Sequence, residues 1–471
     1  MRKQLLQFSR SYRPHIGPTI SLSIPVIIGQ LGHVLMGVID SIMIGDLGPE
    51  YLSAASLTNS IFFMTLVVGI GVAVVISPLT AEASSSGNKQ GTADYLQQGL
   101  VVGLGLSVVM FLINTKSVDL MYVLDQPPRD VELAHSYMLI LNWSILPMML
   151  FMMGKHFTDG LSHTRPAMYI TLAGLAINVG LNYLLIYGKA GLPRLELDGA
   201  GYGTLIARIV MMALMIGYIW FRKDYKAYWQ GWEGVKPKVV EKILRLGLPS
   251  GLQYLFEMGA FSAGALMIGW IGSEARAAHQ MVISLASVTF MVVTGISAGA
   301  SIRVGNYLGK QDYDGLQRAG FTGILLGTAF MSCSAVVFVL CRNVVPFIFQ
   351  INDPEVVQYA AVLMILAAWF QVFDGIQAVG AGVLRGIQDV NVPTLITFVA
   401  YWLVLLPVGY LLAFPLEMGV VGIWWGYVIG LVVSSFLLTY RFWRKTQRLR
   451  GSSVESDLPP IPQPSPASVG E

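Results

Sequence analysis

Long apolar runs recur along the whole chain and constrain its fold more than any other feature. Each run is long enough to cross the roughly 30 Å of hydrocarbon in a bilayer as an α-helix. The runs lie at 18–42, 51–79, 95–114, 131–153, 166–187, 199–221, 244–271, 279–302, 316–341, 355–380, 391–413 and 419–440. The strands of a membrane barrel are about half as long and alternate in polarity, a pattern that is absent here. We therefore predict an all-α integral membrane protein with twelve transmembrane helices.

The shortage of charge agrees with this prediction. Only 12% of the 471 residues are charged, whereas an ordinary soluble domain carries about 25%. A surface that mostly faces lipid explains the difference. The net charge of +3 is too small to indicate nucleic-acid binding. Cys333 and Cys341 lie in one apolar run, so a disulfide framework is not expected.

Lysine and arginine residues predict the orientation, because they favour cytoplasmic connections. The N-terminus, the connections that follow even-numbered spans and the C-terminus hold 23 of them, the other side holds six, and Arg208 lies within a span. The connection at 222–245 is the richest. We therefore predict that both termini are cytoplasmic, as an even number of spans requires.

An internal repeat relates the two halves of the chain at an offset of 224 residues. Pro25, Met43, Ile44, Gly45, Gly48, Ala54, Ser60 and Gly71 match Pro249, Met267, Ile268, Gly269, Gly272, Ala278, Ser284 and Gly295. Each half holds six spans, so both halves enter the membrane in the same sense, as parallel repeats with a central cleft between them do. Close helix packing is predicted at three small-xxx-small pairs, namely Gly199/Gly203, Gly295/Gly299 and Gly382/Gly386.

The repeat and the connections predict five segments. These are a cytoplasmic N-terminal segment (1–17), an N-lobe of helices 1–6 (18–221), a basic cytoplasmic linker (222–243), a C-lobe of helices 7–12 (244–445) and a cytoplasmic tail (446–471). The tail becomes rich in proline and serine after Gly451, a composition typical of disorder.

Three carboxylates fall inside predicted spans, where a charge costs at least about 2.5–3.5 kcal/mol to insert. Glu257 is the deepest, and Gln253 lies one turn away on the same face. Asp374 lies in span 10 with Gln377 three residues later, and Asp40 lies near the outer end of span 1. Each of these residues is therefore a candidate for function.

Asn178 and Asn182 share one face of span 5 and form a second polar group. A carboxylate in a low-dielectric cleft holds a proton more readily than in water, and with neighbouring oxygens it can bind a small hard cation such as Na⁺. Each of these residues also has a possible structural role. Asp40 could be a solvated helix end, the asparagines could join helices by hydrogen bonds, and Glu257 or Asp374 could be structural.

The segments at 24–48, 159–188, 277–280, 301–309 and 373–386 resemble the multidrug and toxic compound extrusion (MATE) family, in its NorM branch. The resemblance covers about residues 15–445, and the segments follow the family order. It implies two lobes in a V and a monomeric antiporter of a bacterial inner membrane. Such a protein exports amphipathic organic cations and other drugs in exchange for Na⁺ or H⁺, without a cofactor.

The resemblance also implies site residues. It places an N-lobe cation site on Asp40, Asn178 and Asn182, and a C-lobe site on Glu257 and Asp374. Some members carry an acid at the position of Asn182, and NorM-type members often carry a tyrosine at the position of Phe370. Further candidates near a bound cation or substrate are Gln253, Gln377, Phe370, His33 and Gln280.

Two rival functions deserve comparison. A flippase of lipid-linked saccharides would have a strongly cationic cavity, and the sequence predicts Arg208 as the one basic residue well inside a span. A membrane-embedded enzyme would need a dense catalytic cluster, for which His156 and Asp159, expected in the connection between spans 4 and 5, are the weak candidates. GNYLGK at 305–310 is one residue short of a P-loop, so ATP hydrolysis is not expected either.

Overall fold

The computed structural model describes residues 2–123, 128–229, 231–349 and 353–456, and the side chains of 12–117, 129–229, 231–349 and 353–451. Twelve long helical rods run through this part of the chain, and the short helices Lys223–Tyr225, Lys226–Trp229 and Val345–Ile348 lie in two of the connections. The first six rods are α1 (Arg2–Gly45), α2 (Pro49–Val74 and Ile76–Ser85), α3 (Lys89–Val123), α4 (Pro128–Trp143 and Ile145–Gly160), α5 (Arg165–Tyr187) and α6 (Glu196–Phe221). The second six are α7 (Pro237–Gly269), α8 (Ser273–Gly309), α9 (Tyr313–Cys341), α10 (Pro354–Gly386), α11 (Asn391–Ala413) and α12 (Gly419–Ser456).

The predicted twelve-helix fold is confirmed. Eleven of the described rods are long and apolar enough to span a bilayer on composition. The remaining rod is α7, which is 33 residues long but less apolar, because Gln253 and Glu257 lie in its interior. The helices extend beyond the predicted apolar runs at many ends, since helical hydrogen bonding continues into the charged flanks.

Two of the predicted boundaries fall within or beside longer helices. α7 begins at Pro237, inside the predicted linker at 222–243. α12 continues to Ser456, past the predicted start of the tail at 446. Its end is held by an ion pair of 2.6 Å between Arg450 and Asp314 of α9. The predicted disorder at 457–471 lies outside the described residues.

Each half has its own hydrophobic interior. One cluster of buried side chains belongs to the first half except for Ile243 of α7, and it includes Phe151, Met149 and Met215. Those of the second half form two clusters, one around Trp424 and Tyr427 and one around Val379 and Phe442. The two halves therefore pack as separate lobes, here called the N-lobe (α1–α6) and the C-lobe (α7–α12).

The predicted glycine pairs all lie at tight helix crossings. Gly203 faces the side chain of Asn182 on α5, and Gly199 faces the backbone of the same helix at Leu185. Gly295 and Gly299 of α8 face α1 at Ile27 and Ser23. Gly382 and Gly386 of α10 face α8, at Ser297 and Val304 respectively. In each case a Cβ atom would collide with the neighbour, so the small side chain permits the approach.

The lobes meet at one end of the bundle, which we call the basic end because it carries the beginning of α1, the end of α12 and the connection between α6 and α7. Gly71 of α2 faces the backbone of Gly251 on α7, and Gly305 of α8 faces Pro78 of α2. Ser85 donates a hydrogen bond of 2.8 Å to Asn306, and Gln388 donates one to Glu82. Among the described residues, all the hydrogen bonds between the lobes lie at this end. The cleft between the lobes is therefore closed at the basic end and open at the other.

Candidate functional site

One polar cluster lies inside the N-lobe, where α1, α5 and α6 meet. The amide nitrogen of Asn182 donates to Oδ1 of Asp40 at 2.5 Å. The hydroxyl of Thr204 donates to Oδ2 of the same carboxylate at 3.5 Å, and it accepts from the amide of Asn178 at 3.3 Å. The structure thus brings together the three residues that the sequence predicts for this lobe. It adds Thr204, which sequence reasoning missed because a lone threonine in a span carries no signal.

The same cluster retains unused oxygen atoms. Both asparagines are fully buried, and among the described residues their Oδ1 atoms have no hydrogen-bond partner. Gly203 makes this packing possible, since its missing side chain leaves room for the Asn182 amide. Buried oxygens without partners are costly, so the cluster can accommodate one further donor or a small cation.

A partly buried arginine lies beside this cluster. Arg208 donates to the hydroxyl of Ser144 at 2.6 Å, and its guanidinium lies 5.3 Å from the ring centroid of Phe62. It also interacts electrostatically with Asp40. Because the carboxylate already has a positive neighbour and two hydrogen-bond donors, its negative charge is partly compensated within the lobe.

A second polar cluster lies inside the C-lobe. Glu257 of α7 and Asp374 of α10 are only 8% and 3% exposed, and the two carboxylates interact electrostatically. The amide of Gln377 lies within hydrogen-bonding reach of Glu257. Because two carboxylates share this interior, the structure concentrates more negative charge here than around Asp40.

Several buried polar atoms around these carboxylates have no partner within the described part of the chain. They are both amide atoms of Gln371, the amide oxygen of Gln377 and the hydroxyl of Tyr401. Tyr401 lies on a π-helical segment, Val399–Leu405, that interrupts α11. Such segments occur frequently at functional sites. Here the segment places a buried hydroxyl close enough to interact with both carboxylates.

Phe370 lies in an aromatic cluster, so it contributes packing and no oxygen atom. Its ring centroid is 5.9 Å from that of Phe261 and 5.9 Å from that of Trp424. The ring of Tyr401 also packs on Phe261, at 5.9 Å. The hydroxyl that the family often carries at position 370 is therefore absent. The structure provides a different one nearby, on α11, which a pattern of residues along α10 cannot reveal.

The inter-lobe cleft reaches Glu257 from the open side. It is lined by both lobes and encloses about 850 Å³, including space open to solvent. The predicted candidates Gln253, Gln377 and His33 line it. Gln280 does not, because it is exposed on α8 and its amide bonds to Ser284 at 3.4 Å. The structure therefore does not bring Gln280 to the site.

Two basic residues line the same cleft, and the sequence analysis missed both. Lys155 is 5% exposed and pairs with Asp159 at 3.0 Å. Arg385 is 6% exposed, and its guanidinium lies 5.5 Å from the ring centroid of Tyr254. Buried basic residues therefore line the cleft near the ends of α4 and α10, where the sequence predicts connections. Because an apolar run in the sequence ends at a charged residue, a buried charged residue near a helix end is assigned to the following connection.

The residues predicted to connect spans 4 and 5 are part of a helix instead. His156 and Asp159 lie within α4, which ends at Gly160, and both are buried. Nδ1 of His156 is 3.1 Å from the hydroxyl of Ser77, and the Asp159 carboxylate is bound to Lys155. These residues therefore pack α4 against α2 and do not form a cluster at an interface.

The relation to known proteins can now be stated. The family model MatE matches residues 25–184 and again residues 249–411. The chain belongs to the MatE family. The two matches begin 224 residues apart, which is the offset of the internal repeat. The resemblance drawn from the sequence is thus confirmed, with one family unit in each lobe.

Full-length relatives support the same placement. The chain is 33% identical over 436 residues to multidrug resistance protein NorM of Aliivibrio fischeri, covering 91% of this chain and 95% of the relative. It is also 33% identical over 437 residues to multidrug resistance protein MdtK of Yersinia pseudotuberculosis, with coverages of 91% and 95%. The MatE protein described here is therefore similar to NorM and MdtK along nearly its whole length.

Solved structures share the fold. A eukaryotic MATE transporter, AtDTX14, superposes with a TM-score of 0.82 at 21% identity, covering 94% of this chain and 99% of that one. A multidrug resistance MATE family transporter in an outward-facing conformation superposes with a TM-score of 0.85 at 20% identity, covering 93% and 97%. At these identities the comparison supports the bilobed fold alone.

Proposed function

We propose that this MatE protein is a cation-coupled antiporter that exports amphipathic drugs, chiefly organic cations, in exchange for Na⁺ or H⁺. The observation that carries the proposal is the position of Glu257. It is a nearly buried carboxylate that lines a cleft between two lobes, with Asp374 behind it. A carboxylate in such a place attracts a cationic drug and a coupling cation alike, so the two compete for it.

The fold supports a cycle of alternating access by the protein as a monomer. With the basic end in the cytoplasm, the cleft described here opens outward. A coupling cation that reaches Glu257 and Asp374 neutralises them and weakens their attraction for a cationic drug, which leaves. Neutral carboxylates also allow the lobe to close without carrying an uncompensated charge through the membrane. The ion and the drug are then linked through their different affinities for the two conformations.

The N-lobe cluster is the second candidate coupling site. Asp40, Asn178 and Asn182 offer one carboxylate and two unpartnered amide oxygens. Oxygen ligands of this kind suit a hard cation. Both clusters lie within the lobes and away from the basic end, so each can exchange ions with the open side of the cleft.

The test uses purified protein in liposomes with one imposed ion gradient at a time. Ethidium is a permanent cation, and we expect its efflux to follow either an inward Na⁺ gradient or an inward H⁺ gradient. The Glu257→Gln variant should lose this coupled efflux. Undiminished gradient-driven efflux by both Glu257→Gln and Asp374→Asn would contradict the C-lobe assignment. Absence of ethidium efflux under both gradients in the unmodified protein would contradict the proposed function.

One observation favours the flippase rival. The cleft is lined by two basic residues that the sequence assigns to connections, Lys155 and Arg385. However, Lys155 is paired with Asp159, and Glu257 and Asp374 bring two carboxylates to the same region. The cleft is thus mixed in charge and not strongly cationic. Gradient-independent movement of a lipid-linked pyrophosphate saccharide across the same liposomes would favour the rival.

A further inference from the structure

A second depression lies outside the cleft, where α1 of the N-lobe meets α8 and α9 of the C-lobe. We call it the membrane groove. Its walls include Ile20, Ile24 and Ile27 of α1, Val292 of α8 and Phe330 of α9, and it encloses about 780 Å³, including open space. It shares no lining residue with the cleft. The groove is therefore a separate surface feature to which both lobes contribute.

The membrane groove offers almost no polar group to a ligand. The one hydroxyl among its described lining residues is that of Ser23, which donates to the backbone carbonyl of Thr19 at 2.8 Å. The other lining residues are apolar or, at Cys333, a thiol. Ile24 is 48% exposed, and the three helices that form the groove are all apolar enough to span a bilayer. A hydrocarbon chain therefore suits this groove better than a polar solute does.

Two exposed arginines lie on the basic side of the groove. Arg13 precedes Ile20 on α1 by seven residues, and Arg318 precedes Leu326 on α9 by eight. These separations correspond to about 10–12 Å along the helices. Neither arginine forms an ion pair with another described residue, although both are exposed. His15 interacts electrostatically with Arg318, so this part of α1 lies beside the beginning of α9.

The acidic residues near the beginning of α9 are already engaged. Asp312 caps the helix, where its carboxylate accepts from a backbone N–H three residues later at 2.8 Å. Asp314 pairs with Arg450 at 2.6 Å. Arg303 adds a further positive charge and donates to the hydroxyl of Thr19 at 2.9 Å, which holds α1 against α8. This side of the groove therefore carries a net positive charge that an anion can neutralise.

We propose that the membrane groove binds an anionic phospholipid, with the phosphate between Arg13 and Arg318 and one acyl chain in the groove. The hydrocarbon of one leaflet is about 15 Å thick, so a chain that starts at the level of the arginines reaches the groove with its distal part. Gly17 lies on the way and has open space beside it. Each basic residue near the membrane surface adds attraction for anionic lipid, and the arginine fork suits phosphate oxygens.

The groove also connects lipid binding to the position of the lobes. Ile27 lines the groove and lies against Gly295 of α8 at the tight crossing of the two lobes. A lipid in the groove thus contacts α1 on one side and α8 and α9 on the other. Its affinity then differs between conformations in which the lobes meet differently. The site is additional to the proposed transport function and does not depend on it.

The test uses the purified full-length protein in phosphatidylcholine nanodiscs. They contain a tracer lipid that carries a photoreactive diazirine near the end of one acyl chain and either a phosphatidylglycerol or a phosphatidylcholine headgroup. Labelled peptides are identified by mass spectrometry. We expect peptides that contain residues 20–27 and 326–333 to reach half-maximal labelling at a phosphatidylglycerol fraction about tenfold below that of phosphatidylcholine. The double variant Arg13→Gln, Arg318→Gln should bring this ratio close to one.

Two further variants separate the groove from the charge. Ala329→Phe places a large side chain in the groove, which Ala329 lines from an exposed position, and should remove labelling there by both tracers. Val337→Phe is its matched control, because Val337 is exposed on the same helix but does not line the groove. Arg276→Gln is the control for charge, since it removes an exposed arginine near the opposite end of α8.

Several results would overturn the inference. Equal labelling by the two tracers in the unmodified protein would do so without any variant, so the test holds even where a variant fails to fold. An unchanged preference in the double arginine variant would remove the headgroup site. Displacement of the tracer by ethidium would assign the groove to a drug, and a cross-link between two copies at the groove would assign it to a second copy. No ion gradient is used, so failure of coupled efflux remains a separate result.

Discussion

The two lobes are repeats of one unit, yet their polar clusters differ in how far the protein itself satisfies them. Around Asp40, the side chains of Asn182 and Thr204 donate to the carboxylate, and Arg208 adds a positive charge. Around Glu257 and Asp374, two carboxylates share few donors, and several buried polar atoms have no partner among the described residues. The scaffold is thus shared by the lobes, while the carboxylates of the C-lobe have less positive charge and fewer donors beside them in the described structure.

The first prediction tests this difference at its strongest point. Replacing Glu257 by Gln should lower gradient-driven ethidium efflux about 50-fold, because the largest coupling free energies between two ligands correspond to factors of this order. Efflux is measured in liposomes at matched protein density. Gln280→Ala is the control, since Gln280 is exposed and does not line the cleft, and it should leave efflux unchanged.

The second prediction concerns the better satisfied cluster. Asp40→Asn should lower coupled efflux about tenfold, within the usual range of coupling factors but below the effect at Glu257. Asp46→Asn is the matched control, because Asp46 lies just beyond the end of the same helix and receives a hydrogen bond from Tyr187 in an exposed position. A larger loss from Asp40→Asn than from Glu257→Gln would reverse the comparison between the lobes.

The third prediction addresses the packing that positions the N-lobe cluster. A Cβ atom on Gly203 would collide with the Asn182 amide, whereas Gly217 on the same helix has no neighbour within 4 Å. Gly203→Ala should therefore lower the free energy of unfolding by about 1 kcal/mol, and Gly217→Ala should not. Thermal unfolding in detergent measures both. Equal midpoints for the two variants would show that the Asn182 position is not fixed by Gly203.

The fourth prediction concerns the buried hydroxyl near the C-lobe carboxylates. Removing the buried hydroxyl in Tyr401→Phe should raise the Na⁺ concentration for half-maximal ethidium efflux about threefold, because Na⁺ takes oxygen ligands and a hydroxyl is one. The proton concentration for half-maximal efflux should stay unchanged, since a proton binds a carboxylate directly. Phe370→Tyr, which restores the hydroxyl often found in NorM-type proteins, is the converse variant. No response of either ion to Tyr401→Phe would remove Tyr401 from the site.

Much of this architecture follows from the sequence because its causes are local. Runs of apolar residues mark the helices, the 224-residue repeat marks the lobes, and the glycine pairs mark tight crossings. The asparagines of α5 could be paired because residues four apart share a helix face. Their approach to Asp40 depended on the family resemblance, since no spacing rule connects α1 to α5.

The residues that escaped prediction have non-local causes. Tyr401 lies on a π-helical segment and interacts electrostatically with both carboxylates, and no residue pattern signals that change of pitch. Lys155 and Arg385 were assigned to connections because a charge ends an apolar run. One signal did exist, since Lys155 and Asp159 are four residues apart and form the pair that a continuing helix would favour.

The seam at the basic end has a consequence for the energetics of turnover. At Gly71 and Gly251 the lobes touch through backbone, which offers dispersion contact but no directional bond. The directional bonds include Ser85–Asn306 and Gln388–Glu82, those of Arg303 with His15 and Thr19, and that of Lys242 with Tyr95. Under alternating access such bonds must break before the seam parts, and breaking hydrogen bonds absorbs heat. The activation barrier for opening this end is then largely enthalpic, and the transport rate should fall steeply on cooling.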